Sequence, residues 1–450
     1  MVVHLGKLVF VLAAALENGR SLAQEHFTTP DMFPSPNTTG AGGWENALVL
    51  ANEFIAQLNL TEKASIVTGS ITGSCIGNLR PIERLNFTGL CLQDGPQAIR
   101  VADIASLFPA GVTTAATWDK DLMYKRGFAL GEEFRDKGSH VLLGPVAGSH
   151  GRHPLGGRNW EGFSPDPYLT GVAMNWAIRG IQDAGAQARA KHFIGNEQET
   201  QQSNGVLPDG TTAEGISSNI DDRTMHELYL WPFADAVKAG VASFMCSYNR
   251  VNQTHACENS KLLNGLLKGE LGFQGYVMSD FLAVHSGVAP IEAGLGMNMP
   301  APHQHRNENV TAILAAHHPG QESGAAVVDV LWSDEEPVGR LPDLDARNAT
   351  PPCEFGFGLG YATFAIAAPL AAVERQRAVA GVRPGGSPEL WREAVVQLYV
   401  EMPAESVPEG TPMRVLRGFE KVALEPGERR EVVFGLRRRD VSFWNVTAKE

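Results

Sequence analysis

The clearest indication of the fold is the stretch Gly275-Tyr276-Val277-Met278-Ser279-Asp280-Phe281. Its apolar run, from Gly275 to Met278, ends abruptly on Asp280. A buried parallel strand delivers a carboxylate to the mouth of a (β/α) barrel in this way. The same pattern is equally typical of an acid that caps the following helix, so Asp280 needs support from the rest of the sequence.

Earlier segments repeat this shape, and each leads to polar or aromatic side chains. Val141–Pro145 precedes Arg158 and Glu161. The run 189–193 contains Lys191 and His192, and the run 243–249 contains Met245 and Tyr248. Taken singly, each has a structural explanation: a salt bridge, a buried ion pair or a core side chain. Their joint occurrence at strand ends predicts that acid, imidazole, Arg and Tyr side chains converge on one rim.

Two residues of this set support other interpretations. Asp94 lies in Gln93-Asp94-Gly95-Pro96, a sequence typical of a turn. Lys191 at a barrel strand end also suggests a Schiff-base enzyme of the class I aldolase type, which borohydride trapping would reveal.

Helical patterns alternate with short apolar strands through the first two thirds of the chain. The helical stretches are 45–68, 119–137, 166–184, 223–239 and 259–271, and the last has Asn259 or Ser260 as its N-cap. This alternation predicts an α/β fold, a TIM-like (β/α) barrel, over residues 46–300. Residues 366–450 contain short strands at 395–400, 416–419 and 430–434 and a turn at 425–428, which indicates a small β-sandwich.

Composition and charge narrow the possible partners. The chain has 450 residues, too many for one ordinary core, and a formal net charge of -13. A nucleic-acid partner would require a basic face, so that class is excluded. No long apolar run can span a membrane, and no Cys/His quartet has the spacing of a metal site, so we expect neither a membrane span nor a metal or cofactor.

The N-terminus indicates secretion. Lys7 precedes the apolar run Leu8–Leu16, and Ser21-Leu22-Ala23 offers small residues for cleavage, so residues 1–23 are predicted to be a signal peptide of an extracellular protein. Glycosylation is predicted at the sequon residues Asn37, Asn59, Asn86, Asn252, Asn309, Asn348 and Asn445. In an oxidising compartment the simplest pairing of the five cysteines is Cys75–Cys91 and Cys246–Cys257, with Cys353 left over.

Several motifs together resemble the fungal β-glucosidases of glycoside hydrolase family 3. They are Leu90–Pro96 with Arg100, Gly156–Pro167, Lys191–Phe193 with Asn196–Glu199, Asn219–Phe233, Met245–Asn249, Ser279–Phe281, Pro319–Gly324 and Phe355–Tyr361. The resemblance covers nearly everything after residue 45. It implies a barrel, an α/β-sandwich domain and a C-terminal fibronectin type III-like β-sandwich.

The resemblance also implies an activity and a site. The implied activity is a secreted, cofactor-free β-glucosidase that removes terminal non-reducing β-D-glucosyl residues from cellobiose and other cello-oligosaccharides with retention, in polysaccharide degradation. Asp280 would be the nucleophile. The substrate-binding residues would be Asp94, Arg100, Arg158, Lys191, His192, Met245, Tyr248 and Phe281, with Met245 on the apolar wall of the sugar pocket. We also expect the neighbouring cations to keep Asp280 ionised at acidic pH.

The sequence departs from the family after residue 300. Residues 301–365 resemble only a remnant of the α/β-sandwich domain, and the stretch 339–354, where the family carries its acid/base Glu, has no Glu before Glu354. The acid/base residue is therefore unassigned, the fibronectin-like domain at 366–450 is expected to be incomplete, and apolar faces are expected to be exposed. Phe281 stands where the family usually has Trp, and Gly296 and Asn298 replace acidic residues.

These departures leave two alternatives to a β-glucosidase open. One is a sugar-binding relic without a general acid. The other is a β-xylosidase, which Asp94 disfavours because its short carboxylate leaves room for the hydroxymethyl group of glucose.

Overall fold

A computed structural model describes most of the barrel and much of the C-terminal domain. The described residues are 27–71, 73–147, 154–206, 210–286, 288–299, 363–366, 370–372, 377–385, 392–403, 407–425 and 428–449. The predicted signal peptide, Asn309, Asn348, Cys353 and almost all of the predicted remnant at 301–365 lie outside these ranges.

The barrel is built on a six-stranded sheet whose strands follow chain order. The strands are β1 (Gly77–Leu79), β2 (Leu90–Asp94), β3 (Val141–Leu143), β4 (Gln187–Phe193), β5 (Ser243–Cys246) and β6 (Tyr276–Ser279). β1 pairs antiparallel with β2, and every later pair in the sheet is parallel. The carboxyl ends of β2 to β6 therefore lie on one rim.

Two further segments close the sheet into a barrel. Met297 forms a parallel bridge with Met278 on β6, Asn298 bridges Thr68, and Ser70 bridges Asn78 on β1. Backbone hydrogen bonds follow this path, from Ser279 N to Met297 O (2.9 Å) and from Gly69 N to Asn298 O (2.7 Å). The TIM-like barrel expected from the sequence is confirmed.

Sulfur-containing side chains fill much of the barrel interior. Met245, Met278, Met297 and Met299 pack with aliphatic side chains of β1, β2 and β3 in one buried cluster. Methionine adapts to irregular space, so this cluster fills the barrel axis directly below the rim.

Helices surround the sheet and bury a larger core against it. They are α1 (Glu45–Ala56), α2 (Leu60–Val67), α3 (Gly111–Ala116), α4 (Lys120–Asp136), α5 (Pro167–Asp183), α6 (Asp222–Thr224, Met225–Tyr229 and Trp231–Lys238, with a π-helical centre), α7 (Lys261–Glu270, π-helical) and α8 (Ala289–Glu292). Short 3-10 turns occur at Glu83–Leu85, Pro154–Gly156, Asn159–Glu161, Ala256–Glu258 and Arg438–Val441. Two-residue strands lie at Gly205–Val206, Thr212–Ala213, Ser217–Ser218, Arg250–Val251 and Thr254–His255.

The predicted helices are confirmed, with one correction. The stretch 45–68 is two helices, because Asn59 caps α2 by accepting a hydrogen bond from Glu62 N (2.9 Å). Asn259 caps α7 through Leu262 N (3.2 Å). None of the residues of α1 is buried, and Ile104 is 96% exposed.

The C-terminal domain is a small β-sandwich, as expected. One sheet contains β7 (Thr363–Ile366), β8 (Leu370–Ala372), β9 (Arg377–Gly385) and β12 (Arg430–Gly435), and the other pairs β10 (Arg392–Val400) with β11 (Val415–Leu424). Alternating residues of the two sheets bury a core that includes Val382, Val396, Leu424 and Phe434.

This domain packs directly on the barrel helices. Phe419 of β11 meets the buried Trp118 edge-on, with 5.2 Å between ring centroids, and joins the barrel core. Arg437 and Arg439 form ion pairs with Asp235 on α6, and Arg439 also lies over the Trp231 ring at 4.2 Å. The interface therefore combines aromatic packing with buried charge.

Both predicted disulfides, Cys75–Cys91 and Cys246–Cys257, are present. Of the described sequon residues, Asn37, Asn59, Asn86 and Asn445 are exposed. Asn252 differs, because its side chain exchanges two hydrogen bonds with the Ile220 backbone, at 2.8 and 3.0 Å. No described helix combines the length and apolar character needed to cross a membrane, and no cluster of described His, Cys, Asp and Glu side chains is arranged to hold a metal ion.

Candidate active site

Asp280 follows β6 at the rim, where the sequence placed it. Its Oδ1 accepts a hydrogen bond from Phe281 N (2.7 Å), which fixes the carboxylate. Its Oδ2 is buried, has no hydrogen-bond partner among the described residues, and lies 3.4 Å from Nε2 of His192. One oxygen is thus held and the other remains available, which is the arrangement that an attacking carboxylate needs.

Lys191 and His192 extend from the end of β4. Nζ of Lys191 donates to Oδ1 of Asp94 at the end of β2 (2.9 Å), and Nη1 of Arg100 lies 3.2 Å from Oδ2 of the same carboxylate. Burial alone would raise the pKa of Asp94, but the charges of Lys191 and Arg100 outweigh it and lower that pKa. Asp94 is therefore an ionised acceptor in the rim.

Arg158 is held on one side by Glu161 and faces His192 on the other. Two hydrogen bonds of 2.8 Å join the guanidinium of Arg158 to the Glu161 carboxylate. Nη2 of Arg158 also lies 3.1 Å from Nε2 of His192. Arginine can only donate, so Nε2 accepts and the imidazole proton is on Nδ1.

The neutral form of His192 agrees with its surroundings. Burial, followed by the charges of Arg158 and Lys191, lowers the pKa of His192 well below its usual value. With Nε2 engaged by Arg158, His192 does not donate to Asp280, which leaves Oδ2 of that carboxylate unshared.

The electrostatics of Asp280 correct one expectation. Burial raises the pKa of Asp280, and the charges of Arg158 and Lys191 offset this only in part. The sequence predicted that the cations keep Asp280 ionised at acidic pH. In the structure the cations lower the pKa of Asp280 by less than burial raises it, because the carboxylate has lost its water.

The aromatic and sulfur residues take different places. Tyr248 lies beside Asp280, and burial together with the charge of that carboxylate raises the pKa of the phenol, which stays protonated. Phe281 is half-buried and packs on the methionine cluster. Met245 is buried and packs in the methionine cluster that Phe281 also contacts, so its place on the apolar wall of the sugar pocket stays a prediction.

Two residues of the site carried no predicted role. Arg126 on α4 donates to Pro109 O and Pro96 O, both at 2.6 Å, and so holds both ends of the loop that carries Arg100. Glu199, in the loop after β4, is bound to Gly156 through its amide (2.9 Å) and has a pKa that burial raises. Glu199 belongs to the motif Asn196–Glu199, so the sequence could have indicated it, whereas no local pattern marks Arg126.

The site as a whole places charged and neutral hydrogen-bonding side chains around the Asp280 carboxylate, whose Oδ2 is available. Such a set can bind a neutral polyol through charge-assisted hydrogen bonds. The predicted rim residues lie in this region, and Met245 packs in the methionine cluster beside Phe281.

Comparison with known families identifies the chain. Residues 93–326 match the model of the glycosyl hydrolase family 3 N terminal domain, and residues 394–450 match a fibronectin type III-like domain. The chain belongs to glycosyl hydrolase family 3. A protein named probable beta-glucosidase G, from Aspergillus flavus, is 36% identical over 94% of this chain and 90% of its own length.

Other family 3 proteins agree with this assignment. Probable beta-glucosidase A of Aspergillus flavus is 56% identical over 60% of this chain and 32% of its own length. A family 3 beta-glucosidase from Neurospora crassa superimposes with a TM-score of 0.82 at 26% identity, covering 94% of this chain and 97% of the other. A beta-glucosidase from Chaetomella raphigera gives a TM-score of 0.80 at 28% identity, covering 91% and 96%.

The alignment with beta-glucosidase G also bears on the break in the sequence after residue 300. It extends over 738 positions, more than the 450 residues of this chain. Beta-glucosidase G therefore carries residues that have no counterpart in this chain.

Proposed function

We propose that this protein is a retaining β-glucosidase that releases glucose from the non-reducing end of β-glucosides such as cellobiose. The observation that carries the proposal is the Asp280 carboxylate, with Oδ1 held by the Phe281 amide and Oδ2 buried and unshared among the described residues. The names of its family 3 relatives support the choice of β-glucosides.

In the proposed reaction, Oδ2 of Asp280 attacks the anomeric carbon and forms a glucosyl ester as the bond to the aglycone oxygen breaks. Water then attacks the same carbon and releases glucose and the Asp280 carboxylate. Attack requires the ionised acid. Because burial raises the pKa of Asp280, glucosylation slows on acidification through a pKa above the ordinary value of about 3.9.

The proposed sugar-binding residues divide the glucose hydroxyls among them. Asp94 accepts from the hydroxyls farthest from the scissile bond, and its ion pairs with Lys191 and Arg100 keep it ionised for this role. Arg158, held by Glu161, presents a fixed guanidinium to the remaining hydroxyls. Nδ1 of His192 has no partner among the described residues, so its proton is available to a ring hydroxyl.

We propose secretion and a role in polysaccharide degradation. Two disulfides, which form in oxidising compartments, and exposed sequon residues support an extracellular location.

The test is covalent trapping with a dinitrophenyl 2-fluoro-β-glucoside, followed by peptide mass spectrometry. We expect a fluoroglucosyl adduct on Asp280 in the intact chain and none in D280N. A matched xyloside trap separates the sugar classes: faster labelling by the xyloside would favour a β-xylosidase. Glucose binding by calorimetry without any adduct would overturn the proposal in favour of a sugar-binding relic.

A further inference from the structure

Hydrolysis of an ordinary glucoside requires a proton donor for the departing oxygen, and Asp280 cannot serve as both nucleophile and donor. The described rim contains several other carboxyl groups, namely Asp94, Glu161, Glu197 and Glu199. A general acid must reach the reacting bond with a free carboxyl oxygen that is protonated at the working pH.

Three of these carboxyl groups are already engaged. Asp94 is shared between Lys191 and Arg100, which hold it ionised. Glu161 is 7% exposed, and both of its carboxylate oxygens accept hydrogen bonds from Arg158. Glu197 is 6% exposed and accepts a short hydrogen bond from the Tyr229 hydroxyl. Each of the three is therefore tied to a neighbouring side chain.

Glu199 is arranged differently. Its Oε2 accepts from Nε2 of Gln202 (3.0 Å), whereas Oε1 makes no hydrogen bond with any described residue. Its side chain is only half-buried and lies across Gly157, where an added Cβ would approach Glu199 Cγ to 2.7 Å. Gly157 has a φ of +105°, so glycine both permits this turn and leaves room for the carboxyl group.

The backbone also places Glu199 next to the segment that carries Arg158. It follows β4, the strand that supplies Lys191 and His192, and its amide bonds Gly156, two residues before Arg158. Burial raises the pKa of Glu199; Arg158 opposes this, while the charges of Glu161 and Asp280 add to it. Asp280 and Glu199 therefore share one electrostatic environment around Arg158.

From this geometry we infer that Glu199 is the general acid and base of the barrel site, with Oε1 as the oxygen that carries the proton. The inference rests on the proposed function. In the first step the Oε1–H proton passes to the aglycone oxygen while Oδ2 of Asp280 forms a bond to the anomeric carbon. In the second step the Glu199 carboxylate takes a proton from the attacking water as the ester to Asp280 breaks.

The experiment compares the wild-type chain with E199Q and with E53Q, a control at an exposed carboxyl group on α1. Adduct formation on Asp280 from the dinitrophenyl 2-fluoro-glucoside needs little proton donation, so E199Q should form it at nearly the wild-type rate, which also shows that the variant is folded. Turnover of cellobiose, whose leaving group needs a proton, should fall by about 10²–10⁴-fold in E199Q and remain unchanged in E53Q.

A second readout uses E199A with azide. Azide needs no general base, so it should accelerate turnover of dinitrophenyl glucoside and yield β-glucosyl azide. Equal cellobiose turnover in E199Q and wild type, or an adduct in wild type without any cellobiose turnover, would overturn the role of Glu199 and leave Asp280 as nucleophile. Absence of the adduct in wild type would instead contradict the proposed function itself.

Discussion

Nζ of Lys191 lies 2.9 Å from Oδ1 of Asp94, and this ion pair joins the carboxyl ends of β4 and β2 across β3, the strand between them. The Lys191 side chain is 3% exposed. In K191M the Asp94 carboxylate loses its buried partner and keeps only Arg100, whose side chain is 65% exposed, so we expect the free energy of unfolding to fall by about 1–3 kcal/mol.

The double variant K191M/D94N tests whether this loss belongs to the pair. We expect the double variant, unfolded in urea at neutral pH, to lose less unfolding free energy than the sum of the losses in K191M and D94N. Because the pKa of Asp94 is lowered in the folded chain, the contribution of the pair is present above the unfolded pKa of about 3.9 and is lost as pH falls through the folded value. Strict additivity of the two substitutions would contradict a coupled pair.

Arg126 positions the loop that carries Arg100. Its hydrogen bonds to Pro96 O and Pro109 O have no replacement in R126M, so we expect a loss of about 3 kcal/mol in stability and a several-fold weaker glucose affinity. Urea unfolding and calorimetry measure the two effects. R135M is the matched control on the same helix α4: Arg135 bonds Ala184 O (2.6 Å), so this variant should lose stability and retain glucose affinity. Equal affinity losses in both variants would exclude a specific role for Arg126.

His226 clamps the C-terminal segment to the barrel in a pH-dependent way. Its ring stacks on Trp444 with 3.6 Å between centroids, while its nitrogens face Asp222 O (2.6 Å) and a Glu270 oxygen (3.1 Å). Burial opposes protonation, but these two acceptors outweigh it and raise the pKa of His226.

The raised pKa of His226 determines how the stability of the folded chain depends on pH. The stabilisation is fully present below the unfolded pKa of about 6.5 and is lost as pH rises through the folded value. We therefore expect H226Q to lower Tm by a few degrees at about pH 5 and by much less at about pH 9. W444F, which keeps a stacked ring but loses the bond to Asp222, should retain the pH dependence. A Tm difference that is constant with pH would rule out an ionised clamp.

The stacked pair His255 and His285 makes the folded chain less stable on acidification, which is the opposite of the effect of His226. Their ring centroids are 3.9 Å apart, and burial together with the charge of His285 lowers the pKa of His255 to about 4. The folded chain thus binds fewer protons than the unfolded chain between about pH 6.5 and 4, and stability falls on acidification through this range. H255Q should raise Tm by a few degrees at about pH 5 and leave it nearly unchanged at about pH 8. A destabilised H255Q at both pH values would contradict this reasoning.

The sequence pattern predicted most of the barrel because each strand ends a buried apolar run with a polar residue. Lys191, His192 and Asp280 all lie at the predicted strand ends, and helices α4 and α5 begin and end close to their predicted positions. The break within 45–68 was missed, since the cap at Asn59 looks like any exposed sequon asparagine in the sequence.

Local patterns and motifs were enough to predict the family, the barrel and the two disulfides. Only the tertiary structure decided how the rim residues act on one another. Whether the pKa of Asp280 rises or falls depends on burial against the charges of Arg158 and Lys191, and these residues come from different strands and loops. The roles of Arg126 and Glu199 likewise rest on partners distant in the chain or on turns such as Gly157, because desolvation and hydrogen-bond geometry exist only once the barrel has closed.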